Sequence, residues 1–219
     1  MTLQLFAHPF SSYCQKVLIA LYENGTPFTF RMLALGEDEN GAEFAKLSPM
    51  QRMPLLVDKE RSVFESSIVI EYLALYHPGP VRLVPQDGDA AIEVRKMDRV
   101  FDNYVMTPMQ TIVFDFIREP ELRDPYGAVR AHAMLDTAYV WLDGLMASRE
   151  WAAGASFSLA DCAAAPSLFY ADWVHPIPEQ LSNLRAYRAR LLARPSFARA
   201  VEEGRPYRSF FPPGAPDRD

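Results

Sequence analysis

The stretch Pro9-Phe10-Ser11-Ser12-Tyr13-Cys14-Gln15-Lys16 gathers two hydroxyls, a phenol and a thiol where one local pattern gives way to another. Apolar residues alternate up to Ala7, Pro9 closes that run, and from Cys14 they recur at helical spacing. The four polar groups therefore stand at a helix N-terminus. Unpaired backbone N–H groups and the positive end of the helix dipole favour an anion there, and a thiolate or a carboxylate fits such a place.

The elements that position this stretch flank it. Leu3, Leu5 and Ala7 alternate with Thr2, Gln4 and Phe6 as a strand, Val17, Leu18, Leu21 and Tyr22 mark a helix, and Asn24-Gly25 stops it. Phe28, Phe30 and Met32 alternate again and complete a β-α-β unit. A helix is expected around Ala42 to Leu47, then a break at Ser48-Pro49. The strand Leu55-Leu56-Val57 follows Pro54 and pairs through Asp58-Lys59-Glu60-Arg61 with Ser62-Val63-Phe64 as an antiparallel hairpin. Ser66 or Ser67 is expected to cap the next helix, whose Val69, Tyr72, Leu73 and Tyr76 share a face.

His77-Pro78-Gly79-Pro80 and Pro85-Gln86-Asp87-Gly88 punctuate the chain, and beyond them the period-2 signal disappears. Helices are expected from Ala90 to about Ile117, Tyr126 to about Ala147, Leu181 to Leu192 and Ser196 to Glu203. Ser158-Leu159-Ala160-Asp161, with Phe157 before it, is a capping-box variant in which Asp161 is structural. The proline-rich end, Gly204 to Asp219, is expected to be irregular with mobile last residues. The expected organisation is an α/β domain over residues 1–78, a linker at 79–88, an all-α domain at 89–210 and an irregular tail at 211–219.

Composition narrows the function classes. A chain of 219 residues, 49% hydrophobic and 23% charged, can bury a full core. A formal charge of −6 offers no basic surface for phosphates and disfavours nucleic acid. The only cysteines are Cys14 and Cys162, and Met1-Thr2-Leu3-Gln4 lacks the basic and apolar regions of a secretion signal, so a reduced, cytoplasmic protein is expected. No apolar run approaches the ~20 residues that span a bilayer, so no membrane partner is expected. No metal site is expected either, and small molecules are the default ligands.

From nearly end to end the pattern resembles the cytosolic glutathione S-transferases. Ser11-Ser12-Tyr13-Cys14 resembles the serine-type active-site turn of the theta and zeta classes, and its S-x-x-C spacing resembles the C-x-x-C of glutaredoxins. Met53-Pro54-Leu55 resembles the strand of thioredoxin-like folds that begins after a cis-proline, Glu65-Ser66 the acid-serine pair that holds the γ-glutamyl end of glutathione, and Ser158-Leu159-Ala160-Asp161 the helical domain's capping signature. The resemblance implies a thioredoxin-like N-terminal domain, an all-α C-terminal domain, glutathione as cosubstrate and a homodimer.

On that resemblance the residues take roles. A free thiol with pKa near 8.5 is a few per cent ionised at neutral pH, and a drop of about two units, roughly 2.7 kcal/mol, makes the thiolate the majority form. Ser11 is the first choice for the hydroxyl that supplies part of that drop, and Ser12 the second. Glu65 pairs with the glutathione ammonium while Ser66 and the helix N–H groups receive its carboxylate. A cis peptide before Pro54 turns the backbone of Met53 toward the cysteinyl unit. Gln51-Arg52 departs from the Gly-Lys often found before the proline, and Arg52 is a candidate for the glycyl carboxylate or an acidic substrate. His8 reads as structural, and Cys14 as a core residue or, alternatively, a reactive thiol. The second substrate is expected against the helix bearing Phe101 and Tyr104, with Trp173, Phe210 and Phe211 as possible walls.

The expected activity is a glutathione transferase of detoxification type, in which the thiolate attacks an electrophilic or acidic small molecule. Three alternatives stand beside it: a zeta-like isomerase, a reductase using Cys14, and a non-catalytic glutathione-binding scaffold.

Overall fold

The computed structural model describes residues 3–34 and 39–219; Thr2, read above as part of the first strand, lies outside them. The first part runs β1 (Leu3–Ala7), α1 (Ser12–Glu23), β2 (Phe28–Met32), α2 (Glu39–Leu47), β3 (Leu55–Asp58), β4 (Arg61–Phe64) and α3 (Ser66–Tyr76). Its four strands are ordered β2-β1-β3-β4. β1 and β2 are parallel, with Leu5 opposite Phe30, so they need the crossover that α1 provides. β3 is antiparallel to β1 and forms a hairpin with β4, turning through Lys59 at φ 58°.

Alternation along β1 buries both faces of the sheet. Leu3, Leu5 and Ala7 join α1 and α3 in the main core, while Phe6 points the other way to Leu33, Phe44, Leu55 and Val57 beneath α2. This is a thioredoxin-like α/β unit. It ends in a segment without helix or strand, residues 77–87, tied down by the buried Leu83, whose carbonyl accepts from Leu159 N–H at 2.9 Å.

All regular elements after it are helical. α4 (Gly88–Val100) continues through a π-helical segment, Phe101–Met106, into α5 (Thr107–Phe116). α6 (Pro125–Met146), α7 (Leu159–Val174), α8 (Ser182–Leu192) and α9 (Pro195–Gly204) follow, then a 3₁₀ turn, Arg205–Phe210. α7 is buried along nearly all its length and packs on α1, α4 and the π segment. α9 closes on the turn before α1: a Cβ on Gly204 would stand 3.1 Å from the Pro9 carbonyl oxygen, so the residue's small size permits the contact.

The capping box at Ser158 is formed in both directions, and Asp161 reaches further than a cap requires. One carboxylate oxygen accepts from Ser158 N–H (2.9 Å) and Ser158 Oγ (3.1 Å), the other from Ala152 N–H (2.8 Å) and the Tyr187 hydroxyl (2.6 Å). Asp161 thus joins the preceding loop, α7 and α8 in a dry site. Asp161→Ala strands two buried backbone donors and is expected to cost roughly 3–5 kcal/mol in denaturant unfolding, against about 1 kcal/mol for Tyr187→Phe.

The tail corrects the sequence expectation. Only residues 211–219 are irregular as read, since Gly204 ends α9 and Arg205–Phe210 forms the 3₁₀ turn, and the end is held by ion pairs: the Asp219 carboxylate pairs with Arg205 and Arg208 (both 2.8 Å), and Arg218 pairs with Asp172 of α7. Proline content reports the lack of regular structure and carries no information on these long-range ion pairs.

Candidate active site

Ser11 is the N-cap residue of α1, yet its hydroxyl makes no capping bond. The turn that carries it is held by backbone and by the helical part of the chain. Ser11 N–H donates to the His8 carbonyl (3.0 Å), and Phe10 N–H donates to His8 Nδ1 (3.1 Å). The Tyr170 hydroxyl on α7 donates to the Phe10 carbonyl (2.8 Å), and Gln15 Nε2 donates to the Pro9 carbonyl (3.0 Å). His8 is half-buried against the Tyr207 ring, and burial lowers its pKa, as suits a structural residue. Fixing the turn from both sides leaves the Ser11 side chain with no capping role.

That side chain borders a cavity of about 630 Å³. Around it stand Ser11 and Tyr13, then Ser48, Met50, Gln51, Arg52, Met53 and Pro54 from the loop before β3, and Phe64, Glu65 and Ser66 where β4 meets α3. The helical part supplies Arg99, Asp102, Asn103, Gln110 and Phe114. A second cavity, about 610 Å³ between α3 and residues 78–86, contains none of the candidate catalytic or binding residues. Three separated motifs converge on the first cavity.

Each arrives through a particular backbone. The Met53–Pro54 peptide is cis, and both residues face the cavity. Gln51 sits at φ 48°, a conformation that costs a non-glycine residue about 1–2 kcal/mol, at a position where the glycine of a Gly-Lys pair would stand without strain. Glu65 is the N-cap of α3 at φ 68° and ψ 111°, another sparsely populated conformation of the kind that clusters at functional sites. This corrects the expected cap: neither Ser66 nor Ser67 occupies that position, and Ser66 becomes the first helical residue, buried at the cavity wall. Glu65 forms no ion pair among the described residues.

Below the cavity lies a charged cluster that the sequence reading missed. Lys16, 1% exposed, sends Nζ 2.9 and 2.8 Å to the two Asp102 oxygens and 2.9 Å to Ser67 Oγ. It also stands 2.6 Å from Asp98 Oδ1 as an ion pair whose angle makes no hydrogen bond. Arg99 completes the cluster with Asp98 (2.5 Å), Asp102 (3.0 Å) and Ser67. Burial raises the Asp102 carboxyl above its ordinary range, against the opposing pull of Lys16. The legible signal was a lysine beside Val17-Leu18-Ile19 on a helix whose core face is apolar, matched by two acids four residues apart at 98 and 102.

Several sequence candidates lie elsewhere. Ser12 is buried and does not line the cavity, whereas Ser11 does. Phe101 is a correction: it is fully buried with its ring 6.5 Å from that of Tyr187 in the helical core, so it cannot touch a ligand. Tyr104 is 49% exposed and is absent from the cavity lining. Both fail for one reason, because the i→i+5 bonding of the π segment breaks the helical arithmetic that put them on one face. Trp173 and Phe211 pack with Phe10 and Tyr170, and Phe210 packs on Tyr207, so none of the three walls the cavity.

Cys14 is fully buried, and burial pushes its thiol up to about 11, against smaller opposing effects of the Ser11 hydroxyl and the His8 backbone. Such a thiol is neutral and sealed from solvent. Cys162 is likewise free and buried. Among the described residues no group of three or more His, Cys, Asp or Glu could hold a metal ion, and no helix is long and apolar enough to cross a membrane.

Comparison with known proteins fits this geometry. Residues 5–81 match the family model described as glutathione S-transferase, N-terminal domain, and residues 120–190 match glutathione S-transferase, C-terminal domain. A probable maleylacetoacetate isomerase of Vibrio cholerae is 26% identical, over 94% of this chain and 98% of that protein. Glutathione S-transferase theta-1 of Bos taurus is 28% identical, over 81% and 74%. A glutathione S-transferase of Methylobacterium radiotolerans, solved with glutathione sulfonate, superposes with a TM-score of 0.80 at 27% identity, covering 92% of this chain and 95% of that one. One from Methylobacillus flagellatus, solved with glutathione bound, gives 0.82 at 25% identity, covering 91% and 98%.

Proposed function

The chain belongs to the glutathione S-transferase family, and on that premise we propose that it is a glutathione transferase whose Ser11 hydroxyl donates to the glutathione thiolate. The observation that carries the reading is Ser11 at the start of α1, whose hydroxyl makes no capping bond and which lines the same cavity as Met53-Pro54 and Glu65-Ser66. In it the Met53 backbone meets the cysteinyl unit, Ser66 and the first N–H groups of α3 meet the γ-glutamyl carboxylate, and Glu65 meets the ammonium. Arg52, which lines the cavity and has no ion pair among the described residues, receives the glycyl carboxylate or an acidic cosubstrate in this reading. The thiolate then attacks an electrophilic carbon. The site as proposed uses no metal.

The test is retention on immobilised glutathione together with thiol consumption in the presence of an aryl halide and of an α,β-unsaturated ketone. Retention without turnover on either favours the scaffold reading, and no retention removes glutathione itself. Glu65→Gln is expected to raise the glutathione KM about 10–100-fold with little change in kcat, since it removes a charge-assisted pair made equally in ground and transition states. The reductase reading loses its support, because Cys14 is sealed and neutral.

One observation favours a second reading, a glutathione-dependent isomerase. The cavity lining is largely polar, with Asn103 and Gln110 beside Phe114 on the helical side and the unpaired Arg52 from the loop before β3, which suits an acidic or carbonyl-rich substrate. The similarity to a probable maleylacetoacetate isomerase points the same way. Cis-to-trans conversion of an unsaturated diketo acid without net loss of thiol would establish it. Exposed Phe64, Ile68, Tyr76 and Ile92 on β4, α3 and α4 support a homodimer, and a cytoplasmic site of action accords with two free, buried cysteines.

A further inference from the structure

Tyr13 is the one side chain of the Ser11–Cys14 turn that lines the cavity and that the reading above does not use. It lies in the first turn of α1, half-buried and packed on the core at one edge, with its phenol at the cavity. The hydroxyl makes no hydrogen bond among the described residues, and it is not one of the sealed polar atoms, so it is open to the cavity space. Burial is the main influence raising the phenol to about 12, and Asp102, Arg99, Glu65 and Asp98 are the charges close enough to act on it. Tyr13 is therefore a neutral O–H donor on the Glu65 side of the cavity.

Charge accounting shows what such a donor serves. At this end Lys16 and Arg99 stand against Asp98 and Asp102, two cations for two carboxylates, all in mutual contact. The Arg99 guanidinium is thus committed to acids and to Ser67 Oγ. Glu65 is the charge left over, and it matches an ammonium. A carboxylate bound beside that ammonium must be met by neutral donors, and those lining the cavity include the Ser66 hydroxyl next to Glu65, the unpaired N–H groups at the start of α3 and the Tyr13 hydroxyl, which is close enough to Glu65 to feel its charge.

Resting on the glutathione reading, we infer that Tyr13 donates a hydrogen bond to the α-carboxylate of the γ-glutamyl unit and so discriminates glutathione from thiols lacking that group. The inference separates Tyr13 from Ser11 by role: the serine acts on sulfur, the phenol on the far end of the same molecule.

Two analogues of glutathione test it, 4-aminobutanoyl-Cys-Gly, which lacks only the α-carboxylate, and glutaryl-Cys-Gly, which lacks only the ammonium. Tyr13→Phe keeps the ring that packs on the core and removes the donor. Calorimetric affinity for glutathione and for glutaryl-Cys-Gly is expected to fall about 10-fold, the usual scale for losing a hydrogen bond to a charged group, with affinity for 4-aminobutanoyl-Cys-Gly changed less than about twofold. The bound thiol's ionisation should stay as in the parent. Equal losses on all three thiols, no loss on glutathione, or a displaced thiol ionisation would each overturn the inference and leave the glutathione reading standing. Failure of the unsubstituted protein to bind glutathione would instead remove the reading on which it rests.

Discussion

Ser11→Ala is expected to lower kcat/KM for the electrophile at saturating glutathione by up to about 50-fold near pH 6.5, and the deficit is expected to close as the pH approaches about 9. The magnitude follows from ionisation alone. A thiol held near pKa 6.5 is about half thiolate at that pH, whereas one released to near 8.5 is about one per cent ionised. The sign follows as well: the hydroxyl favours the anion, so its removal raises the thiol pKa, and the loss vanishes once free thiol ionises unaided. No comparable change is expected for Ser12→Ala, whose side chain is buried away from the cavity. Stopped-flow or initial-rate profiles against pH, with folding checked by circular dichroism, give the comparison. A deficit independent of pH would point to lost geometry rather than to a lost donor.

The second large effect concerns stability. Lys16→Met is expected to destabilise the fold by about 3–5 kcal/mol near neutral pH, because it leaves Asp98 and Asp102 buried without their central cation. The deficit should narrow on acidification. Burial already holds the Asp102 carboxyl above its ordinary range, and removing Lys16 deletes the first opposing influence, so the variant's folded state takes up protons at higher pH than its unfolded state does. Stability lost at neutral pH is then regained toward about pH 4, relative to the parent. A double variant, Lys16→Met with Asp102→Asn, is expected to recover a large share of the loss. Urea unfolding at several pH values reads all three. Because the cluster joins α1, α3 and the α4–π junction under the cavity, the variant should also weaken glutathione binding.

These two residues also mark how far the chain could be read without coordinates. Elements whose signal is local were legible: the alternation of Leu3, Leu5 and Ala7, the proline-led β3, the hairpin turn at Lys59 and the capping box at Ser158 all correspond to observed structure. So was the convergence of Ser11, Met53-Pro54 and Glu65-Ser66, because short motifs in fixed order imply a shared fold. What stayed hidden depends on contacts between distant segments. Lys16 carried no assigned role until α4 brought Asp98 and Asp102 to it, and the tail resembled a free end until Asp219 met Arg205 and Arg208.

The second-substrate wall was misread for a different reason. An apolar pocket was sought in a run rich in Phe, Tyr and Met, and helical spacing was extrapolated across residues 101–106, where the helix is π. Of that run Phe114 does line the cavity, and its other neighbours on that side, Arg99, Asp102, Asn103 and Gln110, are polar and were not sought. At α3 the template failed more narrowly, since serine is the common N-cap and Glu65 takes the position through a backbone conformation that sequence preference disfavours. Its effect is to free Ser66 for a ligand.

Titration of glutathione bound to the protein, followed by the ultraviolet absorbance of its thiolate, bears most directly on the role given to Ser11. In the unsubstituted protein the bound thiol is expected to ionise about two pH units below the free one, and in Ser11→Ala that difference should shrink while glutathione remains bound. A bound thiol that titrates like free glutathione in the unsubstituted protein, or identically in both proteins, would contradict it.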